Sequence, residues 1–366
     1  MCRQPIQQKM KNRIVVKVGS NVLTREDGKL DITRMSAIVD QIAWLKSHGC
    51  EVILVSSGAM ASGRGEMQVS RKLDSVAQRQ LYSALGQAKL INHYYNLFRE
   101  YRLPVGQVLT MKENFNSRRA YLNQRSCMTV MLENGVIPIV NENDTVSVTE
   151  LMFTDNDELS GLIASMMDAT TLIILSNIDG IYDGPPSDPA SHIIPHVAPG
   201  TDLSEYIQSE RSGFGRGGML TKSNIARKVA EEGITVIIAN GKCNNILIDL
   251  MQRRDDTPHT EFEASKEGVS GIKKWIAHSD SFAKGQIIIN DLAREALCGN
   301  NAVSLLPVGV TAVEGDFEEG DLVNITDTNG NKIAVGRSSY DSATAREVMG
   351  HHDQKPLVHY DYLYME

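Results

Sequence analysis

The run Ile14-Val15-Val16-Lys17-Val18, closed by Gly19-Ser20, decides how the rest of the chain is read. β-Branched residues around a single lysine make a short, almost wholly apolar strand, and the glycine and serine end it in a turn. Glu51-Val52-Ile53-Leu54-Val55 repeats the pattern and runs into Ser56-Ser57-Gly58. Between the two, Met35, Ile38, Val39, Ile42 and Leu45 recur at helical spacing, with Asp31 or Thr33 as the cap and Gly49 beyond the end. This is a strand–helix–strand unit. Val136–Val140 leads into Asn141-Glu142-Asn143-Asp144, Thr171–Leu175 into Ser176-Asn177, and Ile234–Ala239 into Asn240-Gly241. Helical patterns lie around 75–99, 157–167 and 219–232. Apolar strands alternating with helices predict an α/β fold, a doubly wound, mainly parallel sheet covered on both faces. Ligands of such sheets bind beyond the carboxyl ends of the strands, and the polar clusters fall at those ends.

After about residue 260 the texture changes. Gln286–Ile289, Ser304–Leu306, Val310–Val313, Leu322–Thr326 and Lys332–Val335 read as short strands separated by turn signals such as Asn329-Gly330-Asn331. They predict a small β-barrel-like module after the polar stretch Thr257–Ser270. Residues 183–200 hold five of the 11 prolines, which marks a surface loop, either a lid or an irregular connector.

The chain has 366 residues, 42% of them apolar and 22% charged, enough for two packed domains. Its formal charge is −8, against nucleic acid as the main partner, because phosphate binding needs a basic footprint. That charge is uneven. Residues 280–358 carry six basic and 12 acidic side chains, a net of −6, so the first domain is close to neutral. No apolar run approaches the ~18 residues that span a membrane, and the apolar stretch after the basic N-terminus is too short for a signal peptide. Five scattered cysteines form no CxxC pair, which fits free thiols in a cytoplasmic protein.

Each motif alone keeps two readings. Gly213-x-Gly215-x-x-Gly218 matches a dinucleotide fingerprint formally, but no strand precedes it. Gly215 to Lys222 offers glycines leading into a helix with a lysine, either an anion cradle or a flexible loop. Lys17 either faces water on an edge strand or holds phosphate oxygens. Ser56 to Gly63 is either a tight turn or a loop that lets a ligand approach the backbone. Asn141–Asp144 and Thr154–Asp157 either bind a divalent metal or an ammonium group, or form capped turns.

In order and spacing these pieces resemble the glutamate 5-kinase family of the amino-acid kinase superfamily. The carrying residues are Val15–Ser20, Val55–Ala59, Ala84-Leu85-Gly86-Gln87, Gln107–Thr110, Asn141–Asp144, Thr154–Asp157 and Gly215–Lys222. The tail, with Ser304–Gly309 and the Gly320-Asp321 turn, resembles a PUA module. The resemblance implies a kinase domain over 12–262, a linker over 263–279 and a PUA domain over 280–358. It further implies transfer of the ATP γ-phosphoryl group to the side-chain carboxylate of L-glutamate, the first step toward proline. Lys17, Lys222, Asp155 and Asp157 are then the catalytic set. Lys17, Gly19, Ser176, Asn177, Arg216, Gly217, Gly218, Met219, Leu220, Thr221 and Lys222 line the ATP site, with Gly19 and the 215–218 glycines as backbone donors. Ser57, Gly58, Ala59, Asp144 and Asn156 bind glutamate, Asp144 at its ammonium, Ser57 and Asn156 at carboxylate oxygens. Mg²⁺ arrives with ATP rather than at a dedicated protein site. L-Proline is implied as an inhibitor sensed by Met111–Arg125, glutamyl phosphate reductase as the pathway partner, and a homo-oligomer as the assembly. The chain departs from the family at Ser176-Asn177, usually Thr-Asp, and at Arg216, usually Thr, which bears on nucleotide preference. The competing readings are another kinase of the superfamily, acting on aspartate, carbamate, acetylglutamate or UMP, and an RNA-binding PUA protein.

Overall fold

The computed structural model describes residues 12–66, 73–115, 118–146, 153, 155–186, 188–203, 206, 218–253, 256–266, 283–299 and 303–365. Arg216, Gly217 and Thr154 therefore lie outside the described residues, as does the expected linker beyond residue 266. The chain divides into two compact units, one of Met1–Lys112 with Gln124–Gly268 and one of Glu113–Asn123 with Val269–Glu366.

The first unit follows the alternation of its sequence. Its strands are β1 (Arg13–Val18), β2 (Glu51–Ser56), β3 (Val105–Thr110), β4 (Ile137–Glu142), β5 (Thr171–Ser176), β6 (His196–Val197), β7 (Thr235–Asn240) and β8 (His259–Phe262). They form one sheet in the order β3-β4-β2-β1-β5-β7-β8-β6. The pairings are parallel except β7 with β8. β1 therefore lies inside the sheet, with Lys17 in register with Val55 on one side and Ile174 on the other. This removes the edge-strand reading of Lys17. The proline-rich connector is stitched to the far edge, where Asp183 N–H donates to the His192 carbonyl and β6 pairs with β8.

The helices are α1 (Ser20–Leu23), α2 (Ile32–Ser47), α3 (Ala59–Arg64), α4 (Ser75–Glu100), α5 (Arg118–Glu133), α6 (Asn156–Met166), α7 (Met219–Glu231) and α8 (Ile246–Met251). α2 buries Met35, Ile38, Val39, Ile42 and Leu45, the stripe its spacing predicts, and Asp31 rather than Thr33 caps it, accepting from Arg34 N at 3.0 Å. α4 is capped by Asp74, whose Oδ1 accepts from Val76 N and Ala77 N. No helix among the described residues is long and apolar enough to cross a membrane.

α3 and α4 touch backbone to backbone. A Cβ at Gly86 would lie 1.8 Å from the Ala59 carbonyl oxygen, and one at Gly63 would lie 1.9 Å from that of Tyr82. The contact fixes α4 against the Gly58-Ala59 turn, where Gly58 has φ 106°, a conformation open to glycine.

The second unit carries β9 (Gly285–Ile289), β10 (Val310–Gly315), β11 (Leu322–Asp327), β12 (Lys332–Ser338) and β13 (Val358–Met365), in the order β10-β9-β11-β12-β13. Ile287, Ile289, Phe317, Val323, Ile325 and Leu357 are in its core. Ser304–Leu306 makes only an isolated bridge, Leu305 to Val358, instead of a strand. β13 carries the sheet beyond residue 358, through Tyr360 and Tyr362, whose polar aromatic texture hides a strand.

Gly86→Ala tests the α3–α4 contact. Because the clash is with main chain, it is expected to destabilise the protein by about 1–3 kcal/mol in chemical denaturation. Unchanged stability would mean that the two helices are not in contact.

Candidate functional site

The ends of β1, β2, β4 and β5 and the starts of α6 and α7 carry the residues that matter. Lys17, one residue before the end of β1, is 5% exposed. A lone buried ammonium is costly, and it is compensated here by a buried carboxylate. Asp157, in the first turn of α6, is fully buried, and its Oδ1 lies 2.5 Å from Lys17 Nζ. Its Oδ2 lies 2.8 Å from Lys222 Nζ, which comes from the first turn of α7. One carboxylate thus joins two lysines from a strand and a helix far apart in sequence. Burial pushes the Asp157 carboxyl up, but Lys17 and Lys222 outweigh it and hold the group below the usual carboxylate range. Asp157 therefore stays ionised, and the three groups carry one surplus positive charge.

Asp155 sits beside them as the N-cap of α6. Its Oδ1 accepts from Asp157 N at 2.9 Å and Glu158 N at 3.1 Å, while its Oδ2 is buried without a hydrogen-bond partner among the described residues. Burial, helped by repulsion from Asp157, raises this carboxyl to about 6. The two acids of one motif are set apart by their surroundings, one tied to cations and one poised to lose its charge in mild acid.

The second cluster is polar and mostly uncharged. Asn156 Nδ2 donates to Ser57 Oγ at 2.9 Å and to Asn141 Oδ1 at 3.0 Å, and reaches the Ser56 carbonyl at 3.4 Å. Asn141 Nδ2 donates to Gln87 Oε1 at 2.8 Å, and Ser83 Oγ donates to Asp144 Oδ2 at 3.3 Å. Gln80 Nε2 donates to the Thr145 carbonyl. Gln80, Ser83 and Gln87 share one face of α4 and hold the Asn141–Thr145 loop from below. Behind Ser57, Ser56 Oγ bonds the buried Tyr94 hydroxyl at 2.8 Å, and burial raises that phenol strongly. Gln80, Ser83 and Gln87 have no role in the sequence reading, and Asn141 has one only as part of the Asn141–Asp144 cluster. Their signal was present in the helical spacing of three polar residues on α4.

On the other flank, Ser176 ends β5 buried and Asn177 follows exposed, accepting from Asn21 Nδ2 at 3.4 Å. Gly218 caps α7, and Met219, Leu220, Thr221 and Lys222 form its first turn. Gly19 differs from expectation. Its N–H donates to the Leu175 carbonyl at 3.1 Å, so it is not an open donor. Its lack of a side chain matters instead, because a Cβ there would lie 3.4 Å from Lys17 Nζ.

Comparison with known proteins identifies the families to which the two parts of the chain are similar. Residues 12–240 match the model of the amino acid kinase family, and residues 285–360 match the PUA domain. A glutamate 5-kinase of Bacteroides thetaiotaomicron is 69% identical over 354 residues, 97% of this chain and 98% of its own. Glutamate 5-kinases of Chlorobaculum tepidum and Geobacter sulfurreducens are 47% and 38% identical, covering 96% and 95% of this chain and 97% and 93% of theirs.

Asp155→Asn keeps an oxygen for the helix cap and removes the buried charge. At about pH 8 the variant is expected to be more stable than the parent by roughly 1–3 kcal/mol. The sign follows from the raised carboxyl, which costs stability when ionised. The gain is therefore full above about 6 and fades as pH falls toward ~4, where the parent carboxyl is neutral in both states. Denaturant titrations across that range check it, and a pH-independent difference would contradict the assignment.

Proposed function

The chain belongs to the glutamate 5-kinase family, and from that membership we propose how its residues carry the reaction. The protein is a phosphotransferase that moves the γ-phosphoryl group of ATP to the side-chain carboxylate of L-glutamate, giving L-glutamyl 5-phosphate. The observation that carries the site assignment is the convergence of Lys17 and Lys222 on Asp157, next to the Ser57–Asn156 cluster.

A carboxylate is already a nucleophile, so no catalytic base is required. One of its oxygens forms a bond to the γ-phosphorus as the bond to the β,γ-bridging oxygen breaks, and ADP leaves with that electron pair. The obstacle is charge, because an anion must approach an anion. Lys17 and Lys222, held by Asp157, meet the phosphoryl oxygens and offset the negative charge there. Asp157 binds neither substrate; it holds both ammonium groups in place, so little reorganisation is needed as charge shifts.

Ser176, Asn177 and Gly218–Lys222 form the nucleotide flank, and the family resemblance adds Arg216 and Gly217 to the ATP-binding set. Gly19 keeps the space beside Lys17 open. Ser57, Gly58, Ala59, Asp144 and Asn156 form the glutamate flank, with Asp144 paired to the α-ammonium. Mg²⁺ prefers hard carboxylate oxygens, and the buried, unpartnered Oδ2 of Asp155 fits that preference. Asp155 is thus the carboxylate that would meet an ion carried in on the nucleotide, which supplies further neutralisation of the phosphate oxygens.

Proline acts as an inhibitor in this reading. The family resemblance assigns its sensing to Met111–Arg125, which follows β3, and Asn143 N–H donates to the carbonyl of Thr110, the last residue of that strand, at 2.8 Å. The acyl phosphate product is an activated, hydrolysable species, which suits prompt reduction by a glutamyl phosphate reductase.

ATP-dependent hydroxamate formation tests the activity. Glutamate is expected to be the acceptor in preference to aspartate, carbamate, acetylglutamate and UMP, and proline to raise the apparent KM for glutamate. No product with glutamate would overturn the activity, and indifference to proline would overturn the regulation. Lys222→Met is expected to fold and to lose turnover by on the order of 10²–10⁴-fold. Near-normal turnover would remove Lys222 from the catalytic set.

A further inference from the structure

The hydrogen bonds around Asn156 fix which end of its side-chain amide meets the substrate. An amide can be turned over unless its neighbours have fixed polarity, and here two do. The Glu142 backbone N–H, which can only donate, reaches Asn141 Oδ1 at 2.9 Å. Asn141 Oδ1 is therefore the acceptor, and Asn156 must offer it Nδ2, at 3.0 Å. The Ser56 carbonyl, which can only accept, lies 3.4 Å from the same nitrogen. Both anchors agree. Asn141 in turn must point Nδ2 the other way, and Gln87 Oε1 receives it at 2.8 Å.

Two consequences follow. Asn156 Nδ2 is fully engaged, while its Oδ1 has no hydrogen-bond partner among the described residues and is not among the buried atoms. Ser57 Oγ accepts from Asn156, so its own proton is free to donate. Asn156 thus presents an acceptor and Ser57 a donor. Ser57 keeps its expected carboxylate role, while the polarity of Asn156 departs from the expectation that it too holds a carboxylate oxygen.

Building on the glutamate-kinase reading, we infer that Gln87 is a positioning residue for substrate recognition. Acting through Asn141, it holds Asn156 with Oδ1 toward the α-ammonium of the amino acid, leaving the carboxylate to Ser57. Gln87 touches no substrate. Its oxygen satisfies the outward-facing Nδ2 of Asn141 and closes the chain on α4, beside the Gly86 contact that sets the helix position.

The test uses the full-length enzyme and two competitive inhibitors, each lacking one recognition group. Glutarate has no ammonium, and 4-aminobutyrate has no α-carboxylate. The parent must first form hydroxamate from glutamate; failure there would strike the activity rather than this inference. Gln87→Leu is then expected to raise the KM for glutamate and the Ki of 4-aminobutyrate about tenfold each. The KM for ATP and the Ki of glutarate should move less than about twofold. Gln87→Glu, which keeps an acceptor oxygen, should recover most of the loss. Equal weakening of all four constants would mean a structural role only, and weakening of glutarate with 4-aminobutyrate spared would mean the opposite amide polarity. An unchanged Gln87→Leu enzyme would also overturn the inference, as would a Gln87→Glu variant no better than Gln87→Leu.

Discussion

A single buried carboxylate between two ammonium groups organises the first unit. Asp157 is buried with Lys17 and Lys222 as its counter-charges, and Asp157 offsets the cost of placing Lys17 in an interior strand. Satisfying all three requires β1, α6 and α7 to meet at one point. The sheet order delivers this, placing β1 in the middle with α6 and α7 supplying first-turn residues. Close packing helps, since a Cβ at Gly161 of α6 would meet Ile225 and Val229 of α7 at 3.0 and 3.1 Å. The product is a pair of lysines held at fixed positions by one buried carboxylate.

Asp155 shows the opposing pressure. Two residues from Asp157, it caps the same helix, yet burial and its neighbour's charge push its carboxyl up to about 6 instead of down. Such a group lowers stability at neutral pH, and its retention makes sense if an incoming cation is what offsets it. The Ser57–Asn156 cluster follows a different rule. It is built from amides and hydroxyls whose polarity is inherited from backbone groups that cannot turn over.

Much of this was legible in the sequence. Strand and helix periods gave the α/β alternation, and the helices expected around 75–99, 157–167 and 219–232 appear at Ser75–Glu100, Asn156–Met166 and Met219–Glu231. Strand order was not legible, because it depends on pairings such as Lys17 with Val55 and Ile174. That is why Lys17 alone remained open between a wet edge and a site. The antiparallel β8 is too short to stand out, and Tyr-rich β13 lacks simple alternation. Gly19 reads as an open donor in the sequence because its bond to the Leu175 carbonyl is a long-range contact. Asn141 and Gln87 were visible in motifs but not as partners, because amide-rich turns look alike until the helix beneath them is placed.

The most direct test of the account is the single-turnover rate of phosphoryl transfer in Asp157→Asn, with ATP and glutamate both saturating. Asparagine keeps the shape but removes the charge that holds Lys17 and Lys222 together. The expected result is a folded protein that binds both substrates within about tenfold of the parent and transfers phosphoryl at least ~100-fold more slowly. Transfer at the parental rate would contradict the claim that this buried ion triad organises catalysis.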